Sequence, residues 1–173
     1  MSTLNGSGVE ICPDCGVALP FCDGSPHPYL GASASCWALY GHVLAREYQQ
    51  AALMTIHRLT VDAYAAQHPG KPERRSIQSV WVHLAGLYLV VDRSLAPEFA
   101  RRVIGALATQ SEQLTWLTPP AQLGAITVAH VAAAEQPADH INIVQNWAGS
   151  VWAAWKIHHP AIITLVDRMV RHL

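Results

Sequence analysis

Along most of the chain, hydrophobic residues recur at intervals of three and four positions, which is the spacing of helices that bury one face. The polar and apolar alternation typical of strands does not compete with this pattern. We therefore expect an all-α protein, a compact bundle of about five to six helices. The predicted helices cover residues 35–48, 51–68, 76–95, 97–109 and 140–158, with a short helix at 127–135 and a terminal helix at 161–172.

Residues that cap or interrupt helices set these boundaries. Ser35, Thr127 and Asp139 are of the types that cap a helix N-terminus. Pro97 suits a first helical turn, where its fixed φ costs nothing. Pro160 ends the long helix at residues 140–158, because it lacks a backbone N–H and keeps the preceding residue extended.

The N-terminal residues 1–34 show no such periodicity. Glycine, proline and three of the four cysteines of the chain are concentrated in them. An irregular segment of this length needs a metal ion or another cross-link to be ordered inside a compact protein. We expect residues 1–34 to form an irregular metal-binding lobe packed on a helical bundle of residues 35–173, the two making one structural domain.

The sequence Cys-Pro-Asp-Cys-Gly at residues 12–16 has the form of a zinc knuckle, a tight turn that points two sulfurs inward. The other two ligands of a tetrahedral site would come from Cys22, His27 and Cys36. We favour Cys36 because it falls in the first turn of a helix, where the helix dipole stabilises a thiolate. We favour His27 because two prolines make its loop rigid. The predicted ligands of zinc, or of another divalent transition metal, are Cys12, Cys15, His27 and Cys36, with Cys22 as the substitute for His27.

Buried free thiols or a redox pair are the alternatives for the two knuckle cysteines. A thioredoxin-like redox motif lies between a strand and a helix of an α/β unit, and no such pattern flanks Cys12. The metal site is therefore the preferred interpretation.

Composition narrows the class of partner. The 173 residues carry 11 basic and 12 acidic side chains, so no basic surface for nucleic acid is expected. The longest apolar run, residues 80–91, is well short of the roughly 20 residues that span a membrane. The N-terminus lacks the pattern of a secretory signal, which predicts a cytoplasmic protein. With 51% hydrophobic residues, an apolar helical face could serve homo-oligomer formation.

Ten histidines are a surplus of ligand-type side chains in a chain this short. His57 and His68 share a helix face but lie roughly 16 Å apart along its axis, too far to bind one ion. His83 interrupts an apolar helix, where it needs either a hydrogen-bonding partner in the core or a ligand. Asp62 needs a partner as well. Arg58, one turn earlier on the same helix, is the local candidate.

Two functions fit these features. In the first, the chain is a small metal-dependent enzyme, a hydrolase or a lyase, in which the ion activates water or polarises a carbonyl of a small-molecule substrate. The candidate catalytic residues are His57, Asp62, His83 and His159. In the second, the ion has four protein ligands and stabilises a non-catalytic binding or assembly module.

Several segments of the chain, taken together, form a recognisable combination of motifs. They are residues 12–16 (CPDCG), 27–33 (HPYLGAS), 36–40 (CWALY), 57–69 (HRLTVDAYAAQHP), 78–79 (QS) together with His83, and 152–159 (WAAWKIHH). In combination they resemble a bacterial family catalogued as domain of unknown function 5946. The resemblance covers nearly the whole chain and implies a single compact protein, with no established activity. It also implies that one set of residues belongs together: Cys12, Cys15, His27, Cys36, His57, Asp62, His68, His83 and His159. Cys22 is outside that family pattern.

Overall fold

The computed structural model describes residues 8–95, 97–109 and 114–171, and within them the protein is mostly helical. Two short strands come first, β1 (Val9–Ile11) and β2 (Ala18–Pro20). The helices of the described residues are α1 (Ala34–Gln49), α2 (Ala51–Met54), α3 (His57–Gln67), α4 (Arg74–Leu87), α5 (Pro97–Ala108), α6 (Val128–Ala132), α7 (Pro137–Ala154) and α8 (His159–Val170). A π-helical turn at Tyr88–Asp92 extends α4, and a 3-10 turn at Lys156–His158 joins α7 to α8. The predicted mostly helical class is confirmed.

The two strands form a small antiparallel hairpin, in which Val9 pairs with Pro20 and Ile11 with Ala18. The sequence pattern did not predict it, because three residues are too few to show alternation. The knuckle at residues 12–16 makes the connection between the strands. In this turn the N–H of Gly16, at a φ of 72°, donates to the carbonyl of Cys12 over 3.0 Å.

Several helix boundaries differ from the prediction. The long helix ends at Ala154, and Pro160 lies in the first turn of α8 instead of ending a helix, because His159 before it has helical φ and ψ.

The other differences are at helix starts and inside one predicted helix. Ser33, rather than Ser35, caps α1, and its side chain accepts the N–H of Cys36. The helix predicted over residues 51–68 is divided into α2 and α3, and the hydroxyl of Thr55 donates to a carbonyl of α2 between them. The long helix begins at Pro137, whose fixed φ suits the first turn, so Asp139 lies inside that turn. The predicted end of the last helix at residue 172 lies outside the described residues.

Helix α3 lies at the centre of the bundle, packed against α4 and α7. Residues 62–68, at its C-terminal end, are all buried. The indole N–H groups of Trp147 and Trp155 donate to the Gln67 side chain and to the Ala66 carbonyl, both over 3.0 Å. Trp147 lies in α7 and Trp155 is its C-cap, and both are 0% exposed, so they belong to the core.

The N-terminal lobe is attached to the helices by polar contacts at its edges. The backbone N–H of Ser35 donates to the carboxylate of Glu10 over 2.9 Å, and hydrogen bonds from the side chain and the backbone of Ser35 lower the pKa of Glu10. On the other side, Asp14 accepts the N–H of Gly70, in the turn between α3 and α4, over 2.9 Å. The lobe therefore rests on the start of α1 and on the end of α3.

Helix α7, with 18 residues, is the longest helix of the described chain. Neither α7 nor any other described helix combines the length and the apolar character that crossing a membrane requires.

Candidate metal centre

Four side chains of the metal-ligand type meet where the N-terminal lobe packs on α1 and α3. Their ligand atoms, three sulfurs and one imidazole nitrogen, all lie within 4.8 Å of one another. The four residues, which we call the Cys3His group, are Cys12, Cys15, Cys36 and His68. Three of them are at most 1% exposed, and Cys15 is partly exposed at the edge.

The cysteines are positioned by the knuckle and by the start of α1. Cys12 and Cys15 lie in the tight turn between the strands, and the thiol of Cys12 also contacts the carbonyl of Gly31 at 3.8 Å. Cys36 lies in the first turn of α1, where its N–H is capped by Ser33 at 3.2 Å. At a helix N-terminus the dipole favours a negatively charged ligand, as the sequence predicted for Cys36.

His68 follows the last residue of α3, and one hydrogen bond fixes the orientation of its ring. Nδ1 lies 2.7 Å from the carbonyl oxygen of Tyr64, which can accept but not donate, so Nδ1 carries the proton. Nε2 is then the nitrogen directed at the sulfurs, 3.5 Å from Sγ of Cys36. A backbone partner that fixes the tautomer in this way is typical of metal-binding histidines.

Three thiols packed this closely cannot all ionise without a cation. Hydrogen bonds from Cys15 and Cys36 hold the pKa of Cys12 well below its usual range, and contacts with Cys12 and Cys15, together with burial, raise the pKa of Cys36. Burial lowers the pKa of His68, but the sulfurs of Cys12 and Cys15 outweigh it and raise this pKa to about 9. A divalent cation would replace these protons and allow all three thiolates to form.

His27 was a predicted ligand, and it lies outside the Cys3His group. Its Nδ1 accepts the N–H of Leu30 over 3.1 Å, and its ring packs edge-on against Trp37. Burial lowers the pKa of His27, which keeps the ring neutral and able to accept. His27 therefore orders the loop before α1, while His68 takes the fourth position in the group. Cys22, the substitute for His27, is also outside it.

His57, a predicted catalytic residue, belongs to a separate buried cluster around Glu47. Glu47 is 0% exposed. Its carboxylate accepts hydrogen bonds from Nδ1 of His57 at 2.7 Å, the hydroxyl of Thr60 at 2.6 Å and Nε2 of His140 at 2.8 Å. The guanidinium of Arg46 donates to Nδ1 of His140 over 2.8 Å, so His140 is neutral and gives its Nε2 proton to Glu47. The cluster joins α1, α3 and α7.

Asp62 and His83, also predicted as catalytic, form a pair between α3 and α4. Asp62 is 0% exposed, and its Oδ1 lies 2.7 Å from Nδ1 of His83. Arg58 donates from Nε to the other oxygen over 2.9 Å, which confirms the predicted pair of Arg58 and Asp62. His83 thus has the hydrogen-bonding partner in the core that one of the two sequence-based alternatives required.

His159, the fourth predicted catalytic residue, begins α8. Its ring is stacked on that of Trp152, with the ring centroids 3.7 Å apart, and its Nε2 donates to the carbonyl of the same residue over 2.9 Å. The structure therefore places the predicted catalytic residues in three different clusters. None of them is a member of the Cys3His group.

A comparison with known protein families gives a match. The sequence profile of a family described as "Family of unknown function (DUF5946)" matches residues 10–156. This range contains all four residues of the Cys3His group and the helices from α1 to α7. No curated protein and no solved structure matches the chain.

Proposed function

We propose that this chain, a member of the family of unknown function DUF5946, is a zinc-binding protein in which one ion fastens the N-terminal lobe to the helical bundle. The observation that carries the proposal is the Cys3His group, whose members come from three separate parts of the chain. The ion is structural in this proposal. Of the two functions that the sequence suggests, the proposal corresponds to the non-catalytic binding or assembly module.

The spacing of the ligand atoms suits a tetrahedral zinc ion. With zinc–sulfur bonds of about 2.3 Å and zinc–nitrogen bonds of about 2.05 Å, two sulfurs lie about 3.8 Å apart, and a sulfur and a nitrogen about 3.6 Å apart. In the structure, the Sγ atoms of Cys15 and Cys36 are 3.9 Å apart, and Sγ of Cys36 is 3.5 Å from Nε2 of His68. Thiolate and imidazole ligands favour zinc over magnesium and calcium, which prefer oxygen.

Four protein ligands leave a tetrahedral ion without an open position. Catalytic zinc keeps one position for water or substrate, whereas structural zinc is closed. The burial of three of the four ligands also keeps solvent from the ion. Both features support a structural ion over a hydrolase or lyase in which the same ion activates water.

A zinc ion at this place would link three separate parts of the chain. The hairpin would be fixed by Cys12 and Cys15, the start of α1 by Cys36 and the end of α3 by His68. In this proposal, residues 1–34 and residues 35–173 form one structural domain because the ion belongs to both.

Zinc content per chain, measured by elemental analysis on protein purified without chelator, tests the proposal. We expect one zinc ion per chain in the native protein and its loss in Cys12→Ser and in His68→Ala. Cys22→Ser and His27→Ala are matched controls, since they remove nearby side chains of the same types from outside the group, and both should retain zinc. Zinc-free native protein, or zinc lost from His27→Ala but retained by His68→Ala, would overturn the proposal.

Cobalt substitution separates a structural ion from a catalytic one. Tetrahedral Co²⁺ with thiolate ligands absorbs visible light, and an added small anion such as azide changes the spectrum when it enters an open position. We expect azide to leave the spectrum of the cobalt-loaded protein unchanged. A saturable spectral change would show an open position and would favour the metal-dependent enzyme instead.

A further inference from the structure

A cleft with a volume of about 400 Å³ opens along one face of α4. Five of its lining residues recur on α4 at intervals of three and four, among them Arg75, Ser79 and His83, while Tyr29 and Ala108 line it from neighbouring segments. The volume lies within the range of roughly 300 to 1,000 Å³ that is usual for small-molecule sites. No member of the Cys3His group lines it, so the cleft is separate from the proposed zinc site.

His83 is the lining residue with the strongest structural support. Its side chain is 18% exposed, and its Nδ1 lies 2.7 Å from the fully buried carboxylate of Asp62. Arg58 holds that carboxylate from the other side over 2.9 Å. Gly86 makes the approach of Asp62 to α4 feasible, because a Cβ at this position would collide with the carboxylate. Asp62 is therefore a positioning residue that sets the orientation of the His83 ring.

The second nitrogen of His83 is available to a ligand. The carboxylate of Asp62 can accept a hydrogen bond but cannot donate one, so Nδ1 of His83 carries the proton of their contact. In the neutral ring Nε2 is then an acceptor, and it has no hydrogen-bond partner among the described residues. A histidine held by a buried carboxylate, with its other nitrogen free at a cleft, is the arrangement that orients a ring toward a substrate proton.

The charge of the lining indicates the kind of ligand. Arg75 is exposed and brings a permanent positive charge to the lining. No acidic side chain of the described residues lines the cleft. Arg75 and His83 lie about 12 Å apart along α4, with Ser79 midway between them. A ligand that reaches both ends would carry an anionic group at Arg75 and a donor group several bonds away at His83.

We propose that this cleft binds a small organic anion whose carboxylate or phosphate pairs with Arg75 and whose hydroxyl group donates a hydrogen bond to Nε2 of His83. Nothing in this site depends on the zinc ion, since Asp62, Arg58 and His83 belong to α3 and α4. Glycerol 3-phosphate and glycerate serve as probes, because they combine a hydroxyl group with a phosphate and with a carboxylate. Glycerol, which has hydroxyl groups and no charge, is the neutral control.

Calorimetric titration of the full-length protein with the three probes tests the site. We expect saturable binding of at least one anion and none of glycerol, and the anion that binds identifies the acidic group. Arg75→Ala should weaken the binding about tenfold or more, since it removes a charge-assisted contact. Arg168→Ala, at an exposed arginine of α8, is the matched control and should change the dissociation constant less than about twofold.

His83→Gln and Asp62→Asn test the other end of the cleft. His83→Gln should weaken binding by a similar factor, while His42→Gln, at an exposed histidine of α1, should not. Asp62→Asn should shift the His83 ring toward the tautomer protonated at Nε2, which the ¹⁵N chemical shifts of the ring report and which loss of stability alone would not produce. The proposal is overturned if neither anion binds, if glycerol binds equally well, or if Arg75→Ala, on the protein surface, has no effect.

Discussion

At the scale of single residues, Gly86 decides whether Asp62 can be buried between α3 and α4. Both oxygens of the Asp62 carboxylate lie where a side chain at position 86 would begin. Glycine inside a helix costs about 1 kcal/mol relative to alanine. The hydrogen bond between Asp62 and His83, which the close approach at Gly86 makes possible, offsets this loss of helix stability.

Replacement of Gly86 by alanine should therefore destabilise the protein. We expect Gly86→Ala to lower the free energy of unfolding by about 1 to 3 kcal/mol, because the new methyl group displaces Asp62. Gly149→Ala is the matched control, since a Cβ there meets open space inside α7, and it should raise stability by up to about 1 kcal/mol. Urea unfolding measures both. Stabilisation by both variants would mean that the packing around Asp62 adjusts without cost.

Residue spacing predicted three of the four members of the Cys3His group. The knuckle is a local motif, and the place of Cys36 follows from the start of a helix, so neither requires knowledge of the chain path. His27, the fourth predicted ligand, lies outside this group, because the prediction used proximity in sequence in place of proximity in space. His68 approaches the knuckle through the packing of α3 against the lobe, and periodicity does not report that packing.

At the scale of elements, the Glu47 cluster connects three helices through one carboxylate. Glu47 belongs to α1, two of its partners belong to α3, and His140 belongs to α7. A buried carboxylate that accepts three hydrogen bonds is well compensated for the loss of water. The same carboxylate becomes costly to remove, because its partners are then left buried without an acceptor.

We expect Glu47→Ala to lower the free energy of unfolding by about 3 to 5 kcal/mol. Gln49→Ala, at an exposed residue two positions further along α1, should change it by less than about 0.5 kcal/mol. Thermal and urea unfolding of both variants measure the difference. A loss below about 1 kcal/mol in Glu47→Ala would show that the partners find other acceptors or water.

Hydrophobic periodicity predicted most of the helices but not all of their ends. Helices α1 and α5 occupy nearly the predicted ranges, because each buries one continuous face. The break between α2 and α3 was missed, since the apolar pattern continues through residues 55–56. The π-helical turn after α4 was missed as well, because it changes the backbone hydrogen bonds and leaves the burial pattern unchanged.

At the scale of the whole molecule, the lobe and the bundle share one core. Cys12, Ala32 and Cys36 pack in the same hydrophobic cluster as the central residues of α3 and α7. The lobe itself is a hairpin of three-residue strands, which is too small to be stable alone. The proposed zinc ion would therefore stabilise the lobe and, through the shared core, the bundle.

Removal of zinc should weaken the lobe more than the bundle. We expect a strong chelator to lower the melting temperature by roughly 10 °C. Bound zinc would add about 4 kcal/mol to the free energy of unfolding, and at this chain length each kcal/mol lost lowers the melting temperature by about 2 to 4 °C. Hydrogen exchange should accelerate in residues 8–33 before it does in α7. Cys12→Ser, which cannot hold the ion, should be insensitive to chelator. Equal acceleration throughout the chain would show that lobe and bundle unfold as one unit.

The order of the four residues of the Cys3His group along the chain has a consequence for synthesis. The three cysteines of the group emerge from the ribosome first, and Cys36 and His68 are separated by 32 residues. The carbonyl of Tyr64 directs His68 at the sulfurs, so α3 must have formed its last turn before the group is complete. The part of the protein that is made first is therefore completed late, and its thiols are open to oxidation in the nascent chain until α3 has emerged and folded.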